Sequence, residues 1–395
     1  MLLLSFFLFR NVASQNIPAV CSAVSPNNPP FLVANGCVNE TENFFNTEFP
    51  EEFFNELCLC CTPGVDDNPP DNCVFNETEV ASAGKVTCNE NFDCCLCGEI
   101  ICNECESVLC GGDESCLGVD PIIINGKQTT GGSIICGGDI SCFRTKVFAE
   151  FLTLTDCNGD LSCGNSTWKL NLNGYIPSLP LSLSFTGDGA GYANYIGADN
   201  VGSLSGAGDD SVPFSVFDLM CSLTMPCPIT LNGDRSAVSA KWNITNAASL
   251  DTNGDESVSK TTFNIVFAST GGPATISGDD AAMGAVWDFD NLSALRCVGV
   301  GACRKSTFTI DFIESSGPTP VEIAGTMGAQ MSNWVLTNPS SISCGNVEAC
   351  QMMMLDAICA TNGCSFSCRG ADSCQNGDFT LKNVDNVLCE GANSC

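Results

Sequence analysis

Asp156-Cys157-Asn158-Gly159-Asp160-Leu161-Ser162-Cys163 and Asp251-Thr252-Asn253-Gly254-Asp255-Glu256-Ser257-Val258 are one segment written twice, once with cysteines and once without. The first belongs to a visible set of heptads, at 110–116, 136–142, 157–163, 368–374 and 389–395. The second shows that further copies exist without cysteine. Taking the last residue of each heptad as an anchor gives positions 116, 142, 163, 191, 212, 237, 258, 282, 303, 329, 350, 374 and 395. The spacings are 26, 21, 28, 21, 25, 21, 24, 21, 26, 21, 24 and 21, so every second interval is 21 residues. A fixed alternation of this kind marks a repeat architecture.

Positions counted from the anchor then take on physical meaning. At −4 stands glycine, with Asn346 the exception; both residues tolerate positive φ, which predicts a tight turn of fixed geometry. Position −1 is always Ser, Ala or Gly, a crowded site. Position −8 is nearly always apolar, from Val108 and Ile134 to Phe366 and Val387. Positions +5 and +7 read Trp168/Leu170, Phe217/Leu219, Trp242/Ile244, Phe263/Ile265, Trp287/Phe289, Phe308/Ile310, Trp334/Leu336 and Phe379/Leu381. Alternation at period two means strands with one face inward. The expected fold is all-β, a parallel β-helix (solenoid) of about 13 coils and roughly 60 Å, with loops on every second coil. The double period also fits a six-bladed β-propeller with four strands per blade. The two half-repeats, however, share the same glycine, anchor and aromatic positions, which equivalent solenoid rungs require and inner and outer propeller strands do not.

The cysteines obey the same register. Positions −6 and 0 are both cysteine in Cys110/Cys116, Cys136/Cys142, Cys157/Cys163, Cys297/Cys303, Cys344/Cys350, Cys368/Cys374 and Cys389/Cys395, and neither is cysteine in the other copies. An all-or-none rule is what a bridge across the turn leaves behind. The remaining four are read as Cys221–Cys227 and Cys359–Cys364, staples at a second corner. Cys88 and Cys94 share the heptad spacing, with Val86 two residues earlier, and read as a degenerate leading coil.

Residues 1–14 read as a signal peptide, residues 15–105 as a cysteine-rich disulfide module and residues 106–395 as the repeat domain. The middle stretch holds 12 of the 30 cysteines and one basic residue, Lys85. Interrupted by Pro-rich breaks at Pro26–Pro30 and Pro63–Pro70, such a stretch cannot build a large core and calls for disulfide staples. A zinc cluster is the sharper alternative, set against a chain with no histidine. Thirty cysteines place the chain in an oxidising compartment, secreted or extracellular. The sequons at Asn39, Asn76, Asn165, Asn243 and Asn291 agree with that as glycosylation sites. A net charge of −31 argues against nucleic acid and anionic membranes as partners. No apolar run beyond the leader reaches membrane-spanning length. The partner expected is an extracellular surface, glycan or protein, with end-to-end docking at the C-terminal coil, which ends at Cys395 without a polar cap.

One row of residues stands out chemically. At −3, eight successive coils carry aspartate: Asp113, Asp139, Asp160, Asp188, Asp209, Asp234, Asp255 and Asp279. The next five coils carry Val300, Thr326, Val347, Ala371 and Ala392. Stacked in register, the carboxylates line one edge about 4.8 Å apart. Two uses fit: gathering Ca²⁺, a hard ion that takes oxygen ligands, or capping each aspartate's own turn through nearby backbone amides. The Asp251–Asp255 stretch also matches the start of an EF-hand loop. It lacks the required glycine (Glu256) and the closing glutamate (Thr262).

The Cys-x-Gly-x-x-Ser-Cys heptads at 110–116, 368–374 and 389–395 resemble cysteine-rich repeats in secreted algal proteins of the pectate-lyase-like right-handed parallel β-helix class. The resemblance covers residues 110–395. It implies either a non-enzymatic surface protein or a polysaccharide hydrolase or lyase. Active sites in that class combine acidic groups with histidine, arginine or lysine. Here histidine is absent and every candidate acid is explained by the repeat. No catalytic residue and no certain cofactor are assigned, and the expected function is an extracellular structural or binding module.

Overall fold

The computed structural model describes residues 85–88, 100–119, 121–314 and 318–394. In them the chain winds into an all-β parallel solenoid of about 14 turns, without a helix. Each coil contributes a strand after its anchor and a strand before the next. The first set, such as Thr262–Phe267 and Thr307–Phe312, forms one wall of the stack. The second, such as Gly272–Ser277 and Pro320–Ile323, forms another. Pairing is parallel and in register from coil to coil: Trp242 faces Phe263, Phe263 faces Trp287 and Phe308 faces Trp334. Parallel rungs exclude the propeller, whose blades are antiparallel. Strand Lys85–Cys88 joins the stack with Val86 opposite Val108 and Cys88 opposite Cys110, so a coil does precede the first heptad.

The constant interval of 21 has a local cause. In the short coils the two strands meet at a single left-handed residue: Asn200, Asn246, Asn291, Asn338 or Asn383, with Phe151 in the same role. In Tyr195–Ala207, Lys241–Asn253 and Val286–Val298 the strand runs straight through that corner. The pairing register shifts there by the one residue that bulges out. Asparagine is enriched in this backbone region. A one-residue corner leaves no length to vary, whereas the other coils turn through loops.

The segment from −4 to +3 is not a simple turn but a third hydrogen-bonded wall. Backbone N–H groups at −2, 0 and +2 donate to carbonyls at −3, −1 and +1 of the following coil. Asp210 bonds Asp234 at 3.0 Å, Val212 bonds Ser236 at 2.7 Å and Phe214 bonds Val238 at 2.9 Å. The residues at −2 and +2 hold left-handed backbone although few are glycine: Arg235, Ser239, Glu256 and Lys260 have φ of 55, 57, 53 and 57°. The positive φ expected all along position −4 is present in only part of that column. Only Gly208, Gly233, Gly254, Gly278 and Gly299 are positive there, and Asn346 is not. What the −4 glycines share is contact. A Cβ on Gly138, Gly159 or Gly187 would lie 2.2, 2.2 or 2.3 Å from the carbonyl oxygen of the −4 residue one coil earlier.

Inside, position +5 builds a column of rings. Phe217, Trp242, Phe263, Trp287, Phe308 and Trp334 follow one another at centroid separations of 3.9, 5.7, 4.3, 5.6 and 4.3 Å. All are fully buried. Such contacts contribute about 0.5–1.5 kcal/mol each beyond area burial.

Beside this column lie the −6 and 0 side chains, also buried. Disulfides join Cys110–Cys116, Cys136–Cys142, Cys157–Cys163, Cys297–Cys303, Cys344–Cys350 and Cys368–Cys374 there. Cys389 is also disulfide-bonded, while Cys395 lies outside the described residues. In the cysteine-free copies a large residue meets a small one: Phe185 with Gly191, Gly206 with Val212, Leu231 with Ala237, Ile276 with Ala282. A Cβ on Gly191 would come within 3.0 Å of the Phe185 ring, so the volume is already filled. Either solution packs the same space, which is why a lone cysteine never appears.

Candidate functional site

The aspartate row lies where the register places it, on the edge of the third wall, and its carboxylates have a defined task. Oδ1 of Asp113 accepts the backbone N–H of Asp139 at 3.1 Å, and Oδ1 of Asp139 accepts that of Asp160 at 3.0 Å. Asp160, Asp188, Asp209, Asp234 and Asp255 repeat the bond to Asp188, Asp209, Asp234, Asp255 and Asp279 at 2.9–3.1 Å. Asp279 closes the row on the N–H of Val300 at 3.0 Å. The capping therefore runs between coils, not within each aspartate's own turn. The reason lies in the wall itself: the −2, 0 and +2 amides reach the next coil, while the −3 amide faces the previous one and meets a side chain there.

Other columns reinforce the same wall. Ser166 Oγ donates to Cys142 O at 2.9 Å, and Ser215, Thr261 and Ser306 repeat the bond to the anchor carbonyl one coil earlier. Gln330, Gln351 and Gln375 form a side-chain chain at 2.6 and 3.1 Å. The groups of three close cysteine sulfurs, such as Cys110, Cys116 and Cys142, consist of stacked disulfides rather than thiolates free to hold a metal.

The corner staples sit on the loops of long coils, Cys221–Cys227 and Cys359–Cys364. A further disulfide, Cys102–Cys105, closes across the left-handed Glu104. Composition could not pair it, because it lies among twelve cysteines without a repeat to align them. Of the sequons, Asn291 is exposed at its left-handed corner, Asn243 is half-buried on the outer strand face and Asn165 is half-buried at a left-handed +2 position. Asn39 and Asn76 lie outside the described residues, as does most of residues 1–99, which holds the expected signal peptide and most of the expected cysteine-rich disulfide module.

Burial and like charge perturb three acids elsewhere on the rod. Glu114 is almost wholly buried, its Oε2 has no hydrogen-bond partner, and burial with the neighbouring Asp113 charge pushes its pKa up to about 7. On the outer sheet face, partial burial raises Asp199, helped by the charges of Asp218 and Glu150. Partial burial likewise raises Asp311, with Asp290, directly opposite it across the sheet, and Glu314 adding to the effect. Asp199, Asp290 and Asp311 sit at +8 and Asp218 at +6, positions that vary from coil to coil, so nothing in the periodicity singles them out.

No protein-family model, curated protein or solved structure matches the chain.

Proposed function

We propose that this chain is a secreted, non-catalytic rod of a cell surface or extracellular matrix that meets its partner through its outer sheet face and corner loops. The observation that carries this reading is the aspartate row. The most regular array of acidic side chains on the rod is committed to backbone N–H groups between coils. A row engaged in this way serves the length and stiffness of the stack, and calcium is not needed to explain it. The stacked disulfides suit an oxidising extracellular setting. Membership of the pectate-lyase-like class belongs to this proposal and rests on the heptads together with the parallel solenoid.

The alternative is a carbohydrate-active enzyme, a polysaccharide hydrolase or lyase. It draws on the facing pair Asp290 and Asp311, since glycoside hydrolysis uses two carboxylates. Incubation of the purified protein with a panel of acidic and neutral polysaccharides, followed by assays for new reducing ends and unsaturated uronates, separates the two readings. No product is expected. Turnover abolished by Asp311→Asn would overturn the non-catalytic reading.

A further inference from the structure

Large apolar side chains are exposed together at one corner of the rod. The loop 171–180 carries Leu172, Tyr175 and Leu179, and the loop 222–226 carries Leu223, which is 82% exposed, and Met225. These loops leave alternate coils and meet over the short coil between them. Thr224 Oγ1 donates to Pro177 O at 3.4 Å, and Nδ2 of the left-handed corner Asn200 donates to Ile176 O at 3.0 Å. The longer loop is pinned at further points. Asn173 bonds both carboxylate oxygens of Glu150, the Phe151 amide bonds Gly174 O at 2.9 Å, and Pro180 packs over Gly202. The result is a fixed apolar ledge, not a floppy insertion.

The sheet face adjoining the ledge is acidic. Asp199 precedes the corner Asn200 and pairs across the sheet with exposed Met220; Asp218 lies opposite Gly197. A Cβ on Gly197 would meet nothing closer than the Tyr195 ring at 3.7 Å, so the sheet is bare there, a recess bordered by Asp218 on one neighbouring strand, Lys169 on the other and Asp199 two residues along its own. Neither Asp199 nor Asp218 has an ion-pair partner among the described residues. Partial burial, with the Asp218 and Glu150 charges beside it, also raises the Asp199 carboxyl.

We propose that this ledge and recess dock a protein segment that alternates basic and apolar side chains. An extended segment turns successive side chains to opposite sides. Its basic groups then meet Asp199 and Asp218 while its apolar groups cover Leu223, Met225 and Tyr175. Charge complementarity selects this occupant over an anionic glycan or a purely apolar surface. The proposal rests on the binding-module reading and names the partner class for it.

The test titrates the full chain with a synthetic (Arg-Leu)₄ amide, beside a (Ser-Leu)₄ control. Asp199→Asn/Asp218→Asn should weaken binding about tenfold, and Leu223→Ser/Met225→Ser by a similar factor. The charge-matched Asp356→Asn/Asp378→Asn, on the same sheet but distant coils, should change it less than about twofold. Thermal melting checks that each variant folds. Equal weakening by the distant pair, or none by either local pair, overturns the docking site and leaves the rod reading untouched. A neutral glucan oligosaccharide bound in the peptide's place, and lost in Asp199→Asn/Asp218→Asn, overturns it in favour of a sugar site. Polysaccharide turnover in the separate assay instead strikes at the non-catalytic reading.

Discussion

Oδ1 of Asp160 accepts the backbone N–H of Asp188 at 3.0 Å, so the side chain of one coil caps the same position in the next. Asp188 then does the same for Asp209. The row is a ladder of side chain to main chain, and each rung is a charge-assisted bond.

Removing one rung should be costly only when the acceptor is lost. Asp188→Ala strands the Asp209 amide and should destabilise the solenoid by about 1–3 kcal/mol. Asp188→Asn keeps an acceptor oxygen and should cost well under half as much. Urea unfolding measures both, and faster hydrogen exchange confined to the Asp209 amide would locate the effect.

A ladder engaged with backbone does not need a cation. Addition of millimolar Ca²⁺ should move the Tm of the native chain by less than about 1 °C, whereas binding to the folded state at a hundredfold excess over Kd gives about 2.7 kcal/mol. A rise of several degrees, abolished by chelator, would return the row to metal binding.

The −4 glycines should resist substitution even where φ is ordinary. Gly159 has no left-handed strain, yet its Cβ would stand 2.2 Å from Gly138 O. Gly159→Ala should therefore destabilise by more than about 2 kcal/mol, beyond the usual helix- or strand-propensity effect, and chiefly through overpacking. A neutral result would mean that the coils slide apart freely at that wall.

The two ways of filling the −6/0 site should interconvert in pairs. Ile276→Cys/Ala282→Cys should form a further bridge of the same kind as Cys297–Cys303 in the next coil, detected as the loss of two free thiols by mass spectrometry. Ile276→Cys alone leaves a cavity and should cost about 1–3 kcal/mol.

Glu114 supplies a pH signature. Its folded pKa of about 7 lies above the unfolded value of 4.5, so the folded state holds the proton more tightly. Native stability is unaffected below the unfolded pKa, falls as pH rises between these values, and stays reduced above pH 7 by up to about 3 kcal/mol. Glu114→Gln should therefore raise stability at pH 8 and leave it little changed at pH 4. Equal effects at both pH values would point to packing instead.

Much of the stack was legible because it repeats. The 21-residue interval, the −8 apolar column and the Trp242/Phe263/Trp287 pattern define strands, facing and register. Six of the seven pairs that the all-or-none rule marks are joined in the structure, and Cys395 of the seventh lies outside the described residues. Less legible were features whose cause lies in a neighbouring coil. Nothing local to Arg235 or Lys260 announces left-handed backbone. The −4 glycine looks identical whether it serves φ or contact, and Gly159 and Gly254 differ in this respect. The carboxylates at the ledge were hidden for the opposite reason: Asp199 and Asp218 occupy positions where the repeat makes no demand.

The order of residues by itself determined that this chain is a solenoid, because the constant 21-residue interval and the period-two apolar columns impose equivalent coils. Stacking decided what each polar residue does. Whether Asp160 caps its own turn, another turn or a cation depends on which amide lies about one strand spacing away, and that amide belongs to Asp188, 28 residues along the chain. The same holds at the corner, where loops 171–180 and 222–226 become one surface only because a short coil brings them together.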